Sequence, residues 1–257
     1  MSASPIAAMF DRISPKYDAL NHLLSLNIDK VWRRKTAKAV SRNYPKTILD
    51  LATGTADLAI AIARRNPQAQ IIGMDISEKM LEIGQKKVKR QGLGKQIELR
   101  LGDAAHLPFE DGSFDAVTVA FGVRNFEDLD KGLSEIQRVL KDHGQAVILE
   151  FSMPECFPVK QLYRVYFKHV LPKIGKQISK DAAAYSYLPE SVGRFPKPKD
   201  FLSLLAQKGW VNGDMKRLSF GIATLYTAQK GSKVFHFFLI LPPNLRNKSK
   251  VASFNSR

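Results

Sequence analysis

Two predicted strands joined through a turn of small residues most constrain the fold of this chain. Residues 47–51 form an apolar run typical of a buried strand, and Gly54 lies in the turn that follows. A second apolar run, 71–74, ends at the carboxylate of Asp75. In open α/β sheets such a turn lets the backbone approach a ligand closely, and such an acid binds ribose hydroxyls. The sequence therefore predicts a nucleotide-type site in an α/β fold.

The turn differs from the fingerprint of dinucleotide-binding proteins, Gly-x-Gly-x-x-Gly. Its three glycine positions hold Ala52, Gly54 and Asp57. A carboxylate at the third position would repel a pyrophosphate, whereas it suits a cationic ligand. S-adenosylmethionine has a ribose, an ammonium group and a sulfonium but no phosphate, so the turn favours this methyl donor over a nicotinamide. An ordinary strand–helix connection, with Asp57 favoured by the helix dipole, is the alternative.

Size and composition indicate a globular α/β protein. The chain has 257 residues, of which 44% are apolar and 25% charged. No apolar run reaches the ~18 residues that would span a bilayer, and the N-terminus lacks the pattern of a secretory signal. The single cysteine, Cys156, excludes an internal disulfide framework and fits a reducing, cytoplasmic location.

The net charge of +16 predicts an anionic partner surface. Nucleic acid, phospholipid headgroups and an acidic substrate all satisfy this requirement, and a role in solubility alone is the alternative.

Helices and strands alternate from residue 47 onwards, after an amphipathic helical region over 1–45 in which Pro15 must open or kink a helix. The alternation predicts a parallel sheet, and ligands in such sheets lie beyond the carboxyl ends of the strands. The predicted strands are 47–51, 70–75, 97–102, 114–120 and 145–151, and the predicted helices are 57–65, 78–91 and 129–141.

The C-terminal third departs from this alternation. Residues 152–195 are predicted to form an insertion that covers the substrate, followed by a helix over 198–208 and an antiparallel strand pair near 210–216 and 221–229. The predicted regions are thus an N-terminal helical region (1–45), a catalytic domain (46–230) and a basic tail (231–257). The tail could rest on a membrane, be a disordered terminus or pack as an extra segment.

Two segments at predicted strand ends carry candidate chemistry. Asp103 and Ala104 follow the third strand, where a carboxylate and a backbone N–H can bind an adenine, although a turn-forming Asp is the alternative. Arg124 and Asn125 follow the fourth strand without the Pro-Pro-aromatic segment of amine methyltransferases. A guanidinium and an amide suit an oxygen that develops negative charge, and a surface turn is the alternative. Cys156 is not assigned as a nucleophile, and no metal site is predicted.

Several segments resemble signatures of the menaquinone/ubiquinone biosynthesis C-methyltransferase family. The N-terminal signature is matched by Met-Phe-Asp-Arg-Ile at 9–13 and Tyr-Asp-Ala-Leu-Asn at 17–21, and a second by Phe-Gly-Val-Arg-Asn at 121–125. Further matches lie at 23–26, 32–34, 138–141, 169–175, 185–191 and 220–226. The resemblance covers about residues 9–230.

The resemblance implies a Rossmann-like class I fold and S-adenosylmethionine-dependent methylation of a polyprenylated quinol ring, typically demethylmenaquinol. A benzoquinol of the ubiquinone pathway is the alternative acceptor. RNA methylation, motivated by charge alone, and donor binding without catalysis are alternatives from other classes. A prenyl tail leaves a membrane at a cost of ~0.8 kcal/mol per methylene, so transient contact with an anionic membrane surface is expected. No nucleic-acid partner is expected, and homo-oligomerisation is left open.

The resemblance and the residue chemistry together give the expected site. In the family a Ser often stands where this chain has Ala120, and Gly is usual at Ala56. We expect Arg124 and Asn125 to hold the substrate oxygen, and Tyr17 or Asp57 to relay its proton. The residues expected at the donor are Asp50, Gly54, Thr55, Asp75, Asp103, Ala104 and Ala120.

Overall fold

A seven-stranded mixed sheet forms the centre of the computed structural model, which describes residues 4–25, 27–166 and 182–232. The strand order is β3-β2-β1-β4-β5-β7-β6. The first five strands in this order are parallel, β7 pairs antiparallel with β5, and β6 pairs antiparallel with β7. The bounds are β1 Thr47–Leu51, β2 Gln70–Asp75, β3 Ile97–Leu101, β4 Phe114–Ala120, β5 Leu140–Phe151, β6 Trp210–Leu218 and β7 Ala223–Lys230. The predicted mostly parallel sheet with antiparallel C-terminal strands is confirmed.

Helices cover the sheet because β1, β4 and β5 are apolar on both faces and must be buried on both. Ile48 and Leu49, adjacent in β1 and therefore on opposite faces, are both fully buried. The helices are α1 Pro5–Leu24, α2 Ile28–Val40, α3 Asp57–Ala63, α4 Glu78–Arg90, α5 Leu129–Val139, α6 Val159–Val165, α7 Ala182–Arg194 and α8 Pro198–Gln207. None of the described helices is long and apolar enough to cross a membrane.

The predicted junction between the helix over 129–141 and the strand at 145 lies elsewhere in the structure. The helix ends at Val139, and β5 begins directly at Leu140. Leu140 pairs with Phe114, and the next pair is Ala116 with Gln145. The register of the two strands therefore shifts between these pairs, and from Ala116 onwards the pairing is regular. Pairing across the sheet therefore extends the strand beyond what local propensity predicts.

Pro15 lies inside α1 rather than at the start of a helix. A proline removes the N–H that would bond the carbonyl four residues earlier, here that of Asp11. The Ser14 hydroxyl donates to this carbonyl at 3.0 Å and replaces the missing bond. A single 20-residue helix can consequently run across the edge of the sheet where the parallel strands end.

Of the predicted 152–195 insertion, residues 152–166 and 182–195 are described, and they include α6 and α7. The signature segment 169–175 and the tail from 233 lie outside the described residues, so their predicted roles stay predictions.

Candidate active site

A cavity of about 430 Å³ lies at the carboxyl ends of the central parallel strands. Its volume falls within the range of roughly 300–1,000 Å³ typical of small-molecule sites. Residues at the ends of β1, β2, β3 and β4 line one side, and α1 covers the other. Among the lining residues are Ile6, Phe10, Asp11, Tyr17, Leu51, Ala52, Gly54, Asp75, Leu101, Asp103, Ala104, Ala120, Phe121 and Asn125.

Asp75 is held in place at the end of β2 by two backbone donors. Its Oδ2 accepts from the Gly54 N–H at 2.8 Å, and its Oδ1 accepts from the Ser77 N–H at 2.9 Å. Burial raises the pKa of Asp75, while these backbone N–H groups act in the opposite direction. Since each carboxylate oxygen can accept more than one hydrogen bond, Asp75 can bind ribose hydroxyls and still orient the turn.

The floor of the cavity requires small residues and unusual backbone angles. Gly54 has a φ of +56°, and Ala52 and Phe121 also have positive φ. A Cβ placed on Gly122 would lie only 2.3 Å from the Ala52 Cβ. The first turn and the end of β4 therefore approach each other with no room for a side chain between them.

Asp103 and Ala104 line the far side of the cavity after β3. The Asp103 carboxylate accepts from the Ala105 N–H at 3.0 Å and is about half exposed. The loop is therefore fixed by its own carboxylate, and that carboxylate remains accessible to a ligand.

Asp50 is fully buried below the turn and does not line the main cavity. It accepts hydrogen bonds from the Thr53 and Thr118 hydroxyls at 2.6 and 2.5 Å. Burial raises its pKa to about 6, against the effect of these hydroxyls. Asp50 lines a second, smaller cavity of about 20 Å³ together with Tyr17 and Asp57, which is room for one water molecule.

Thr55 and Asp57 face α1 and α4 rather than the main cavity. The Thr55 hydroxyl donates to Asp18 of α1 at 2.6 Å and accepts from Lys87 of α4 at 2.9 Å. The Lys87 ammonium also pairs with Asp18 at 2.9 Å and with Asp57. This cluster, Asp18, Thr55, Asp57 and Lys87, fastens α1 over the turn.

Arg124 is held by protein groups on several sides. Its guanidinium pairs with Glu150 at 2.7 Å, donates to Ser191 at 3.2 Å and to the Phe121 carbonyl, and lies 5.4 Å from the centre of the Phe151 ring. The Arg124 side chain is 6% exposed and that of Glu150 is 0% exposed. Arg124 does not line the main cavity, so its expected contact with a substrate oxygen stays a prediction.

Asn125 and Tyr17 do line the main cavity, as does Ala120. The Asn125 side-chain oxygen accepts a hydrogen bond from the Tyr187 hydroxyl at 3.0 Å. The NH₂ group is the part of this amide that can donate a hydrogen bond to a ligand. Tyr17 borders both cavities. Burial raises the pKa of Tyr17, although the charges of Arg33 and Arg124 act to lower it.

Four partners of the site were not assigned from sequence. Glu150, Ser191 and Tyr187 contact Arg124 or Asn125, and Asp18 fastens α1. Asp18, Tyr187 and Ser191 all lie in segments that match the family signatures, which was the available signal. Glu150 lies in a predicted buried strand, where a charged residue is unusual and indicates a paired partner.

The sheet order, with a ligand-sized cavity at the carboxyl ends of its parallel strands, defines a Rossmann-like S-adenosylmethionine-dependent methyltransferase fold. A putative S-adenosyl-L-methionine-dependent methyltransferase from Methanococcus maripaludis matches it with a TM-score of 0.61 at 20% identity, over 87% of this chain and 95% of the other. The [4+2]-cyclase SpnF has a TM-score of 0.59 at 16% identity, over 88% and 96% of the two chains. At such identities the likeness concerns the fold alone.

The sequence match gives the family. The model of the ubiE/COQ5 methyltransferase family matches residues 2–230, and the chain belongs to this family. A demethylmenaquinone methyltransferase from Bacteroides fragilis is 49% identical over 88% of this chain and 92% of its own length. A ubiquinone/menaquinone biosynthesis C-methyltransferase from Geobacter sulfurreducens is 44% identical over 89% of both chains.

Proposed function

We propose that this enzyme methylates the ring of demethylmenaquinol with S-adenosylmethionine as donor, giving menaquinol. The observation that carries the proposal is one cavity lined both by the acids after β2 and β3 and by Tyr17 and Asn125. The relatives named demethylmenaquinone methyltransferase support the acceptor.

The residues of the cavity fit the donor. Asp75 is oriented for the ribose, Asp103 and Ala104 for the adenine, and the positive φ of Gly54 opens the turn towards the methionine part. Asp50 adds negative charge behind the turn, which suits an ammonium and a sulfonium, whereas the charge of Asp57 is balanced by Lys87. The hydroxyl missing at Ala120 leaves this position small, with room for the methyl group.

The chemistry requires an activated ring carbon, since a neutral quinol is a weak carbon nucleophile. A phenol-like hydroxyl has a pKa of ~10, and its oxyanion pushes electron density onto the ortho carbon. Bound S-adenosylmethionine supplies an electrophilic methyl group, so the C–S bond breaks as the new C–C bond forms. The ring then loses the proton of the methylated carbon and regains its aromatic hydroxyl. Charge is neutralised in the transition state, which a dry cavity under α1 favours.

Asn125 is the group placed to hold the reacting oxygen, with its amide fixed by Tyr187. The charge of Arg124 acts to lower the pKa of Tyr17 and of Tyr187, while its partner Glu150 acts to raise that of Tyr187. A guanidinium favours an oxyanion over the neutral hydroxyl, although Glu150 balances part of the charge of Arg124. Direct contact between Arg124 and the oxygen would require the guanidinium to turn away from Glu150.

Tyr17 provides the route for the proton. A tyrosine hydroxyl is protonated at neutral pH, and burial raises the pKa of Tyr17 further, so it can accept a proton only while passing on its own. Asp50 and Asp57 lie across the small cavity that Tyr17 borders, and one water molecule there would connect them.

The test supplies purified protein with labelled donor and short-chain demethylmenaquinol, which needs no membrane. Tyr17→Phe and Asn125→Ala should each lower kcat by about 10²-fold, because each removes a polar group acting in the transition state. Calorimetry should show S-adenosylmethionine affinity within about threefold of wild type, a difference under 1 kcal/mol. Tyr44→Phe, at an exposed site before β1, is the matched control.

Methylation of no quinol by the wild type, or unchanged turnover in both variants, would overturn the proposal. Including a short-chain benzoquinol in the panel tests the second acceptor, since the name of the Geobacter sulfurreducens relative includes both ubiquinone and menaquinone. Radiolabel appearing in RNA instead would identify the other substrate class.

The acceptor also implies a location. A polyprenyl tail stays in the bilayer, and a protein of net charge +16 is attracted to anionic headgroups. We therefore propose a cytoplasmic protein that associates with the membrane surface.

A further inference from the structure

Exposed apolar side chains concentrate on one part of the surface. Of the eight large apolar side chains that are exposed among the described residues, five lie in 153–165 or at Phe220. Phe157 is 82% exposed and Phe220 is 76% exposed. We call this set the apolar tip: Met153, Phe157, Leu162, Val165 and Phe220.

Contacts join the two chain segments that carry the apolar tip. The Cys156 thiol donates to the Phe220 carbonyl at 3.8 Å. Arg217, just before Phe220, donates to the Met153 carbonyl at 3.0 Å and pairs with Glu155 at 2.7 Å. The start of the insertion and the β6–β7 connection therefore form one continuous surface.

Helix α6 carries two residues of the apolar tip on its exposed face. Leu162 and Val165, three residues apart on one helical face, are 65% and 56% exposed. Tyr163, on the other face, is buried, and burial raises its pKa while the charge of Arg124 acts to lower it. One side of α6 thus faces solvent with apolar groups, and the opposite side is buried against the protein.

The charges around the apolar tip are mostly positive. Residues 153–165 and 216–220 include four basic side chains, Lys160, Arg164, Lys216 and Arg217, and one acid, Glu155, which pairs with Arg217. Apolar side chains surrounded by basic ones are characteristic of surfaces that insert into an anionic bilayer interface. Two copies packed face to face about a twofold axis would bring these basic groups together, which disfavours a dimer here.

We propose that the apolar tip inserts into the headgroup region of an anionic phospholipid bilayer. The side chains of the tip enter the acyl boundary, and the basic groups contact lipid phosphates. A quinol bound this way could place its ring in the cavity at Asn125 while its prenyl tail stays in lipid. The inference rests on the proposed lipid substrate and identifies the surface through which that substrate arrives.

The experiment uses the full chain and phosphatidylcholine vesicles with or without phosphatidylglycerol, measured by co-sedimentation. Wild type should bind the anionic vesicles, and high NaCl should weaken this binding because salt screens the basic groups. Leu162→Gln/Phe220→Gln should weaken binding by about tenfold or more, since two apolar side chains no longer enter the lipid. Gln retains helix propensity, so α6 should still form. Tyr44→Gln, at an exposed aromatic residue outside the tip, should bind like wild type.

Two readouts separate this inference from the proposed function. Methylation of a short-chain quinol in buffer tests the function, and the double variant should retain wild-type turnover there while losing turnover on a long-chain quinol in vesicles. The inference is overturned if the double variant binds vesicles as well as Tyr44→Gln does. The inference is also overturned if the double variant binds vesicles like wild type but has a different oligomeric state in sedimentation analysis. That result would indicate that a second copy of the chain covers the apolar tip.

Discussion

The guanidinium of Arg124 lies where the sequence suggests a ligand contact, yet it pairs with Glu150 and Ser191. Glu150 is fully buried, so it depends on this positive charge. A residue proposed to act in the reaction can thus also stabilise the fold beneath the cavity. The two roles require different variants to separate them.

Arg124→Leu should lower the free energy of unfolding by about 3–5 kcal/mol, because it leaves the buried carboxylate of Glu150 without a counter-charge. Arg124→Leu/Glu150→Gln should recover most of this loss. Urea unfolding of the single and double variants measures both. If the double variant folds well but does not turn over, the charge of Arg124 serves the reaction. Equal instability of the two would contradict the pairing as the source of the loss.

Asp50 should make stability depend on pH in an unusual direction. Its pKa of about 6 in the folded protein exceeds the value of 3.8 for the free side chain, so the folded state retains the proton longer. Stability contributed by Asp50 should therefore fall as pH rises from about 4 to about 6. The free energy of unfolding of Asp50→Asn, relative to that of wild type, should therefore rise by about 1.4 kcal/mol between pH 5 and pH 8. Urea unfolding of both proteins at each pH measures this difference.

Asp115→Asn is the control for this measurement. Burial of Asp115 is outweighed by Lys141 and by the N–H groups of Thr47 and Lys46, which lower its pKa to about 2. Its carboxylate is ionised in both states throughout the range from pH 5 to pH 8, so the effect of Asp115→Asn should be constant there. A similar pH slope for both variants would contradict the assignment to Asp50.

Helix α1 is fastened over the cavity by two of its carboxylates. Asp11 accepts from the Ser77 hydroxyl at 2.6 Å and from the Lys79 N–H at 3.2 Å, at the start of α4. Asp18 contacts Thr55, in the turn after β1, and Lys87, about two turns further along α4. The helix that covers the cavity is thereby tied to the turn after β1 and to α4.

Asp18→Asn should weaken S-adenosylmethionine binding by about fivefold, since α1 would lose an ion pair of ~1 kcal/mol and cover the cavity less of the time. Calorimetry measures the affinity, and limited proteolysis should cut within α1 faster. The control is Asp130→Asn, which removes the ion pair between Asp130 of α5 and Lys208, whose atoms are 3.0 Å apart. It should leave both the affinity and the proteolysis rate unchanged. Equal affinities in Asp18→Asn and wild type would contradict the proposed role of α1.

At the level of elements, strands β1, β2 and β4 have the predicted bounds because each is a short apolar run flanked by turn residues. The start of β5 was not predictable in this way. Residues 140–144 include an Asp, a His with positive φ and a Gly, and their strand conformation depends on a partner in β4. Pairing between distant segments decided that boundary.

At the scale of the molecule, the strand–helix alternation and the small-residue turn sufficed to predict the sheet and the edge on which the cavity lies. The parallel order places Asp75, Asp103 and Asn125 at this edge regardless of side-chain detail. The family signatures likewise follow from sequence alone.

The tertiary structure alone decided which polar groups are available to a ligand. Thr55 and Asp57, in the predicted turn, are engaged by Asp18 and Lys87, and Arg124 is engaged by Glu150. The physical reason is that periodicity specifies which face of an element is buried, whereas a charge partner comes from a segment brought close only by folding. Sequence thus determined the fold and the position of the site, and packing between distant segments determined which of its residues face the cavity.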